Sequence, residues 1–234
     1  VHLYDEGSGS YSMNFRDRLA KDKMNHKSYG IYDFSQNIVE LLLYVPEWYG
    51  CCNQKFDINA MAKINISDSV SAVLKSIFGT ISLPEQKFIY LEGGTFYDGN
   101  FSQDFDLINY VASVIGKDNI LIKLHSRSNY DRFSKLGYQV FQTNIPFEII
   151  SLENNMSGRV LLSNISTATL TTFSIFEQKA IHILLNKLLP HDNSLFIRSQ
   201  GFQSSYKKII DSMIENGCRV FQPKNIEQLE KVIK

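Results

Sequence analysis

Short apolar runs alternate with longer amphipathic stretches over most of the chain, and this alternation begins near residue 67. The apolar runs predict buried strands, because strands that are covered on both faces are apolar along their whole length. These runs are residues 87–91, 120–124, 139–141, 159–162, 180–185 and 218–221. Strands that alternate with helices indicate βαβ units and therefore a parallel sheet.

The amphipathic stretches carry apolar residues three or four positions apart, which is the spacing of one helix face. The helices that they predict are 67–78, 104–115, 129–136, 146–152, 202–216 and a last one from residue 226. Residues 1–4 predict one further strand. The pattern between residues 13 and 64 is irregular, and its aromatic residues at 29–49 can face another domain or subunit.

Composition and charge restrict the function classes. The 234 residues are 44% hydrophobic, which is enough for a core, and 24 basic side chains balance 24 acidic ones. A net charge of zero gives no global field for nucleic acid or an anionic membrane, so we expect at most peripheral membrane association. The three cysteines lack zinc-site spacing and favour a reduced cytoplasmic protein.

The chain has no apolar run of 18 residues, so we expect no membrane span, and no signal peptide is visible. It also lacks an initiator methionine. We therefore expect the sequence to begin partway into a longer protein.

Polar residues that suit an anion follow two of the predicted strands. His125 follows residues 120–124 and precedes Ser126, Arg127 and Ser128. The cluster at 163–167 follows a strand and precedes a helix, whose N-terminal N–H groups hold phosphate well. Because ligands bind outside the carboxyl ends of parallel strands, we expect both clusters to flank one crevice. The alternatives are a polar loop with a satisfied histidine and an ordinary N-cap serine.

Several common nucleotide and metal motifs are missing. No G-x-G-x-x-G follows a strand, and no P-loop pattern occurs. Asp104-Phe105-Asp106 has a D-x-D form, but it lies where a helix is predicted to start, and acidic residues are usual there. We therefore expect no metal site.

Five short motifs occur in an order that resembles a known enzyme family. They are residues 4–7 (Tyr-Asp-Glu-Gly), 91–94, 122–127, 144–148 (Asn-Ile-Pro-Phe-Glu) and 161–168. The order is similar to that of the bacterial sialyltransferases of glycosyltransferase family 52, which include lipooligosaccharide and capsule enzymes. That family has an acidic-acidic-Gly motif, an HP motif after a strand, a Pro-containing segment and a Ser/Thr-rich loop. The proline of the HP motif is Ser126 here.

This resemblance implies a GT-B fold, in which two Rossmann-like domains enclose a cleft. Residues 1–80 would be the end of the N-terminal, acceptor-side domain and a connecting region. Residues 81–234 would be the Rossmann-like domain that binds the CMP-sugar. Most of the first domain would lie upstream. The family includes a domain-swapped homodimer, which would fit the aromatic residues at 29–49.

The resemblance also implies an inverting sialyltransferase that needs no metal or other cofactor. The donor would be CMP-sialic acid, and the acceptor a galactoside or other sugar hydroxyl of a bacterial surface glycan. The enzyme would be cytoplasmic, at the inner face of the plasma membrane. Alternatives are another GT-B enzyme that uses a UDP-sugar, such as a 2-epimerase, and a fragment that binds nucleotide without turnover.

Site residues follow from the same resemblance. His125, with Ser166 and Thr167, would hold the departing phosphate, and Glu148 would contact the ribose or cytosine. Asp98 is the first choice for the catalytic base, and Glu92 is its rival. The remaining substrate-binding residues would be Asp5, Glu6, Gly7, Arg127 and Ser163, of which the first three would shape the acceptor side.

Overall fold

In a computed structural model of the chain, the described residues are 2–5, 10–11, 38–51, 56–62, 66–93, 103–125, 128, 131–164, 166–188 and 200–233. Within these ranges, the side chains of residues 103, 104, 167 and 200–202 are also left undescribed. Every structural statement below refers to this part of the chain.

The chain forms two compact units. The first comprises Val1–Lys63 and Asn193–Ser212, and the second comprises Ile64–Asp192 and Met213–Lys234. This division differs from the predicted boundary at residue 80. Residues 64–80 belong to the second unit, where Phe78 packs against the core. Residues 193–212 belong to the first, where Ser205 donates a hydrogen bond to the Tyr11 carbonyl.

The second unit is built on a parallel sheet of six strands. In chain order they are β4 (Phe88–Leu91), β5 (Ile120–Lys123), β6 (Gln139–Phe141), β7 (Val160–Ser163), β8 (Ile181–Leu184) and β9 (Arg219–Phe221). Their order across the sheet is β6-β5-β4-β7-β8-β9, and every pairing is parallel. Counted from β4, this is the 3-2-1-4-5-6 order of the Rossmann fold. The order reverses between β4 and β7, and ligands bind at such reversal points.

Helices cover both faces of this sheet. The helices whose bounds fall in the described residues are α1 (Asp68–Phe78), α2 (Gln103–Ile115), α3 (Phe147–Glu153), α4 (Thr167–Ser174), α5 (Gln200–Glu215) and α6 (Ile226–Ile233). On one face, Tyr90, Ile122 and Leu162 pack with residues of α2 and α6. On the other, Leu91, Leu121 and Leu161 pack with residues of α3. Adjacent strand residues point to opposite faces, so this sheet is apolar on both sides.

The predicted strands of the second unit are confirmed to within two residues at each end. The helix predicted at 129–136 is wrong, because residues 131–133 are not helical and only Ser134–Leu136 form a 3-10 turn. Asp131 explains the difference. Its carboxylate accepts hydrogen bonds from the backbone N–H groups of Phe133 and Ser134, a local arrangement that competes with helix formation.

The first unit contains a smaller parallel sheet with β2 between β1 and β3. These strands are β1 (His2–Tyr4), β2 (Glu40–Leu43) and β3 (Asp57–Ala60). Asp5 follows β1, and its carboxylate accepts hydrogen bonds from the Tyr11 hydroxyl and from the Tyr44 backbone N–H. Burial, together with the charge of Asp5, raises the pKa of Tyr11 well above its usual range. Asp5 therefore provides the hydrogen-bond acceptor for the buried Tyr11 hydroxyl.

We predict that Asp5→Ala lowers the free energy of unfolding by about 1–3 kcal/mol, because it leaves the buried Tyr11 hydroxyl without this acceptor. Urea denaturation measures the change. Asp57→Ala is the matched control, since Asp57 is exposed in the same sheet and its loss should cost under about 0.5 kcal/mol. Equal losses in the two variants would contradict this role of Asp5.

His182 is a buried polar residue in β8. Its side chain is 0% exposed, and no group in the described ranges forms a hydrogen bond with either ring nitrogen. Burial lowers the pKa of this imidazole to about 4 from an ordinary value of 6.5. The unfolded chain therefore binds more protons than the folded chain between these two pH values, so the free energy of unfolding falls as the pH decreases through this window.

We predict that between pH 6.5 and pH 4 the wild-type protein loses about 3 kcal/mol more of its free energy of unfolding than the His182→Leu variant, because the leucine cannot bind a proton. Urea denaturation at several pH values measures this slope. Ile183→Val, in the same strand, should lower stability by about 1 kcal/mol at every pH and keep the wild-type slope. A His182→Leu protein with the wild-type slope would show that the imidazole is not held neutral.

Candidate functional site

The carboxyl edge of the six-stranded sheet collects most of the predicted site residues that the structure describes. Glu92 follows β4, His125 follows β5 by two residues, and Ser166 lies beyond the end of β7. Strand β4 lies between β5 and β7, so the ends of those two strands are about 10 Å apart. The two polar clusters therefore lie at one edge of one sheet, with Glu92 between them.

The Glu92 carboxylate is the most heavily bonded group at this edge. Its Oε2 accepts hydrogen bonds from the His125 backbone N–H at 2.8 Å and from the Ser128 hydroxyl at 2.6 Å. Its Oε1 forms an ion pair with Arg132 at 2.7 Å, and both side chains are buried. Glu92 thus ties the end of β4 to the loop that carries His125.

Arg132 is held by aromatic rings as well as by charge. Its guanidinium carbon lies 5.1 Å from the ring centroids of both Phe105 and Phe133. Phe105 belongs to α2, so these contacts connect the Glu92 ion pair to the helix layer. A buried pair of this kind is costly to break, because the remaining charge loses its partner in a medium that screens poorly.

Lys123 and Glu148 form a further charged cluster at the same edge. Lys123 is the last residue of β5, and its ammonium donates hydrogen bonds to the carbonyls of Leu124 at 2.7 Å and Thr143 at 3.2 Å. Burial lowers the pKa of Lys123 to about 8, against an opposing effect of the nearby Glu148 and Glu92 charges. Glu148 accepts a hydrogen bond from the Thr171 hydroxyl at 3.0 Å, which joins α3 to α4.

The end of β7 leads directly into α4. Ser163 is fully buried and its hydroxyl accepts a hydrogen bond from Thr169, so this serine fastens α4 to the strand. Asn164 is also buried, at 2% exposure, and its Oδ1 has no hydrogen-bond partner among the described residues. Ser166 is the N-cap of α4, and its side chain makes no capping hydrogen bond. The Ser166 hydroxyl is thus not used by the helix.

The remaining predicted site residues are placed elsewhere or fall outside the description. Asp5 belongs to the first unit, where it binds Tyr11. Asp98, Glu6, Gly7 and Arg127 lie outside the described residues, as does the side chain of Thr167. The roles predicted for all of these residues stay predictions.

No group of three or more His, Cys, Asp or Glu side chains in the described ranges is arranged to hold a metal ion. In the same ranges, no helix combines the length and the apolar character needed to cross a membrane.

Sequence reasoning missed three residues of this edge. Arg132 stood inside the helix predicted at 129–136, Asn164 stood inside the 163–167 cluster without a role of its own, and Lys123 stood at the end of an apolar run. Lys123 offered the clearest signal, since a charged residue that ends a fully buried strand must find polar partners. The burial of Arg132 and Asn164 gave no signal that a linear pattern can detect, because it depends on the order of the strands.

The fold and this edge define an α/β protein with a Rossmann-order parallel sheet and a polar cluster at its carboxyl ends. No family model matches the chain, and no curated protein matches it. The resemblance to glycosyltransferase family 52 therefore stays a prediction.

Among solved structures, the chain is similar to one titled "Crystal Structure Analysis of the Glycotransferase of kitacinnamycin". The sequence identity is 11% and the TM-score is 0.46, over 93% of this chain and 52% of that one. The chain thus spans about half the length of that structure's chain. We draw no functional conclusion from this likeness.

We predict that Glu92→Gln lowers the free energy of unfolding by about 3 kcal/mol, because it removes the charge that Arg132 faces inside the protein. Urea denaturation measures the change. Lys207→Gln is the control, since it breaks an exposed pair with Asp211 and should cost under about 0.5 kcal/mol. The double variant Glu92→Gln, Arg132→Met should lose less than the sum of its single variants, and strict additivity would contradict the pairing.

Proposed function

We propose that this chain is the nucleotide-binding part of an inverting glycosyltransferase that transfers sialic acid from CMP-sialic acid to a sugar hydroxyl of a bacterial surface glycan. The observation that supports it most is the gathering of Glu92, His125, Asn164 and Ser166 at the point where a Rossmann-order sheet reverses. Open parallel sheets bind nucleotides at such points. The motif order of the sequence supports the choice of donor.

The departing CMP phosphate would be held between the ends of β5 and β7. In this scheme the His125 imidazole donates a hydrogen bond to a phosphate oxygen from one side. The Ser166 hydroxyl, which α4 does not use as a cap, donates from the other. The N-terminal N–H groups of α4 add partial positive charge. Such donors lower the barrier because they stabilise negative charge that grows as the bond to the sugar breaks.

Glu148 is proposed to contact the ribose or the cytosine. It is partly buried in the first turn of α3, and its hydrogen bond from Thr171 fixes the orientation of the carboxylate. A carboxylate is an acceptor for hydroxyl and amino groups, which the nucleoside offers in both places. Glu148 would therefore select the nucleoside rather than act on the bond that breaks.

Asp98 remains the proposed base that removes the proton of the acceptor hydroxyl, and a positioned base contributes roughly 10²–10⁴-fold in rate. The contacts of Glu92 favour a positioning role for that residue instead. Its two oxygens already receive Arg132, Ser128 and the His125 backbone N–H, and its side chain is buried. We propose that Glu92 orients the His125 loop and leaves the proton transfer to Asp98.

The other parts of the proposal follow from the resemblance to family 52. Residues 1–80 would contribute the end of the acceptor-side domain of a GT-B enzyme and a connecting region, with Asp5, Glu6 and Gly7 near the acceptor. Arg127 and Thr167 would assist at the phosphate. The chemistry would need no metal or cofactor. The enzyme would work in the cytoplasm, as a monomer or a domain-swapped homodimer.

We predict that CMP raises the melting temperature of the protein and that UDP does not. A ligand at 100 times its Kd adds about 2.7 kcal/mol of stability, which a thermal melt detects easily. His125→Ala should weaken CMP binding about tenfold, the cost of one hydrogen bond to a charged group. Isothermal titration calorimetry with CMP measures this affinity directly.

His2→Ala is the matched control, because His2 is an exposed histidine of the first unit and its loss should leave CMP binding unchanged. Stabilisation by UDP in place of CMP would favour the alternative of a UDP-sugar enzyme. No response of the wild-type protein to either nucleotide would refute nucleotide binding. Release of CMP from CMP-sialic acid, with and without a galactoside, then separates turnover from binding alone.

A further inference from the structure

Asn164 is a buried amide at the reversal point of the sheet, and none of the roles proposed above belongs to it. The residue is 2% exposed, and no donor within the described ranges reaches its Oδ1. A buried acceptor without a donor is uncommon in folded proteins, since over 90% of such groups find a partner. The position of Asn164 therefore needs an explanation.

Asn164 lies at the end of the strand next to Glu92. Tyr90 of β4 pairs with Leu162 of β7, and Glu92 and Asn164 each come two residues later, just beyond the ends of these two strands. Ser163 is bonded to α4 through Thr169. The chain bends at Asn164, directly after this serine, at the edge of the sheet where Glu92 meets Arg132.

The described groups around Asn164 do not offer its Oδ1 a hydrogen. The Glu92 carboxylate is an acceptor, and its oxygens are engaged by Arg132, Ser128 and the His125 backbone. The acceptor of Asn164 thus lies at the place where a nucleotide would enter and has no bond to lose when a ligand arrives. A ligand donor there would gain a hydrogen bond at little cost to the protein.

We propose that Asn164 is a nucleoside-binding residue whose side-chain carbonyl accepts a hydrogen bond from a donor group of the bound nucleotide. The proposal rests on the proposed function, in which CMP occupies this edge. An ionised phosphate carries no hydrogen to donate, so the contact is with the nucleoside. The donors that CMP offers are the amino group of cytosine and the two hydroxyls of the ribose.

Calorimetric titration of the full chain with CMP, before and after Asn164→Leu, tests this assignment. Leucine is close to asparagine in size and has no acceptor. We expect the Kd for CMP to rise about tenfold, the equivalent of one buried hydrogen bond. The melting temperature without ligand should not fall, because Oδ1 has no protein bond to lose.

Analogues that lack one donor identify the contact. UMP lacks the amino group, 2′-deoxy-CMP lacks one hydroxyl and 3′-deoxy-CMP lacks the other. The analogue without the contacted donor should bind the wild-type protein and Asn164→Leu equally well, and the other two should show the tenfold difference. This pattern for any one of the three supports the proposal and names the group that Asn164 contacts.

Asn154→Leu is the matched control. Asn154 bridges the backbone, since it accepts from the Leu83 N–H and donates to the carbonyls of Ile81 and Ile150. Its loss should lower the melting temperature without a specific change in CMP affinity. Asn164 has no ligand role if Asn164→Leu binds CMP as the wild type does, or if it weakens all nucleotides equally. Failure of the wild-type protein to bind CMP would instead overturn the proposed function.

Discussion

The buried carboxylate of Glu92 is the constraint on which the arrangement of this protein's sheet edge depends. It is placed at the end of the central strand β4, and it must be satisfied there because an uncompensated charge in the interior costs several kcal/mol. Arg132, Ser128 and the His125 backbone all serve that requirement. The backbone of His125 and the side chains of Ser128 and Arg132 are consequently held at this edge by the need to neutralise one buried charge.

Two charged clusters at this edge, Glu92 with Arg132 and Lys123 with Glu148, lie on opposite faces of the sheet and do different work. Glu92 and Arg132 are on the face covered by α2, where aromatic rings enclose the guanidinium. Lys123 is on the face covered by α3, because it is two residues beyond Leu121. Its ammonium bonds two backbone carbonyls and faces Glu148, so it secures the β6–α3 connection. Together they make the strand ends rigid from both sides, which a binding site for a small ligand requires.

Strand positions were predictable from the sequence because a strand buried on both faces is apolar throughout, as Val160–Ser163 illustrates, with only its last residue polar. The helix at 129–136 was not, since the side chain of Asp131 competes with the helix for backbone N–H groups. The order of the strands is a long-range property that no local pattern contains. His125 and Ser166 could be assigned to strand ends in advance, because the end of an apolar run is a local feature. The pairing of Glu92 with Arg132, forty residues later, could not be predicted, because it depends on the order of the strands. The return of α5 to the first unit, from far along the chain, could not be predicted for the same reason.

The Oδ1 of Asn164 and the carboxylate of Glu92 lie at adjacent strand ends, the first without a hydrogen-bond donor among the described residues and the second with three partners. The contrast follows from the difference in charge between the two side chains. Glu92 has to be fully bonded before any ligand arrives, because its charge would otherwise destabilise the fold. Asn164 is neutral, so leaving its carbonyl without a partner costs only about 1–3 kcal/mol, which the core of the six-stranded sheet can supply. Proteins retain such local costs mainly where function needs them, since selection for stability alone would replace the group. The reversal point between β4 and β7 is therefore one place in the described part of this molecule where a buried polar group stays unsatisfied, and it is the position at which a parallel sheet is best able to receive a nucleotide.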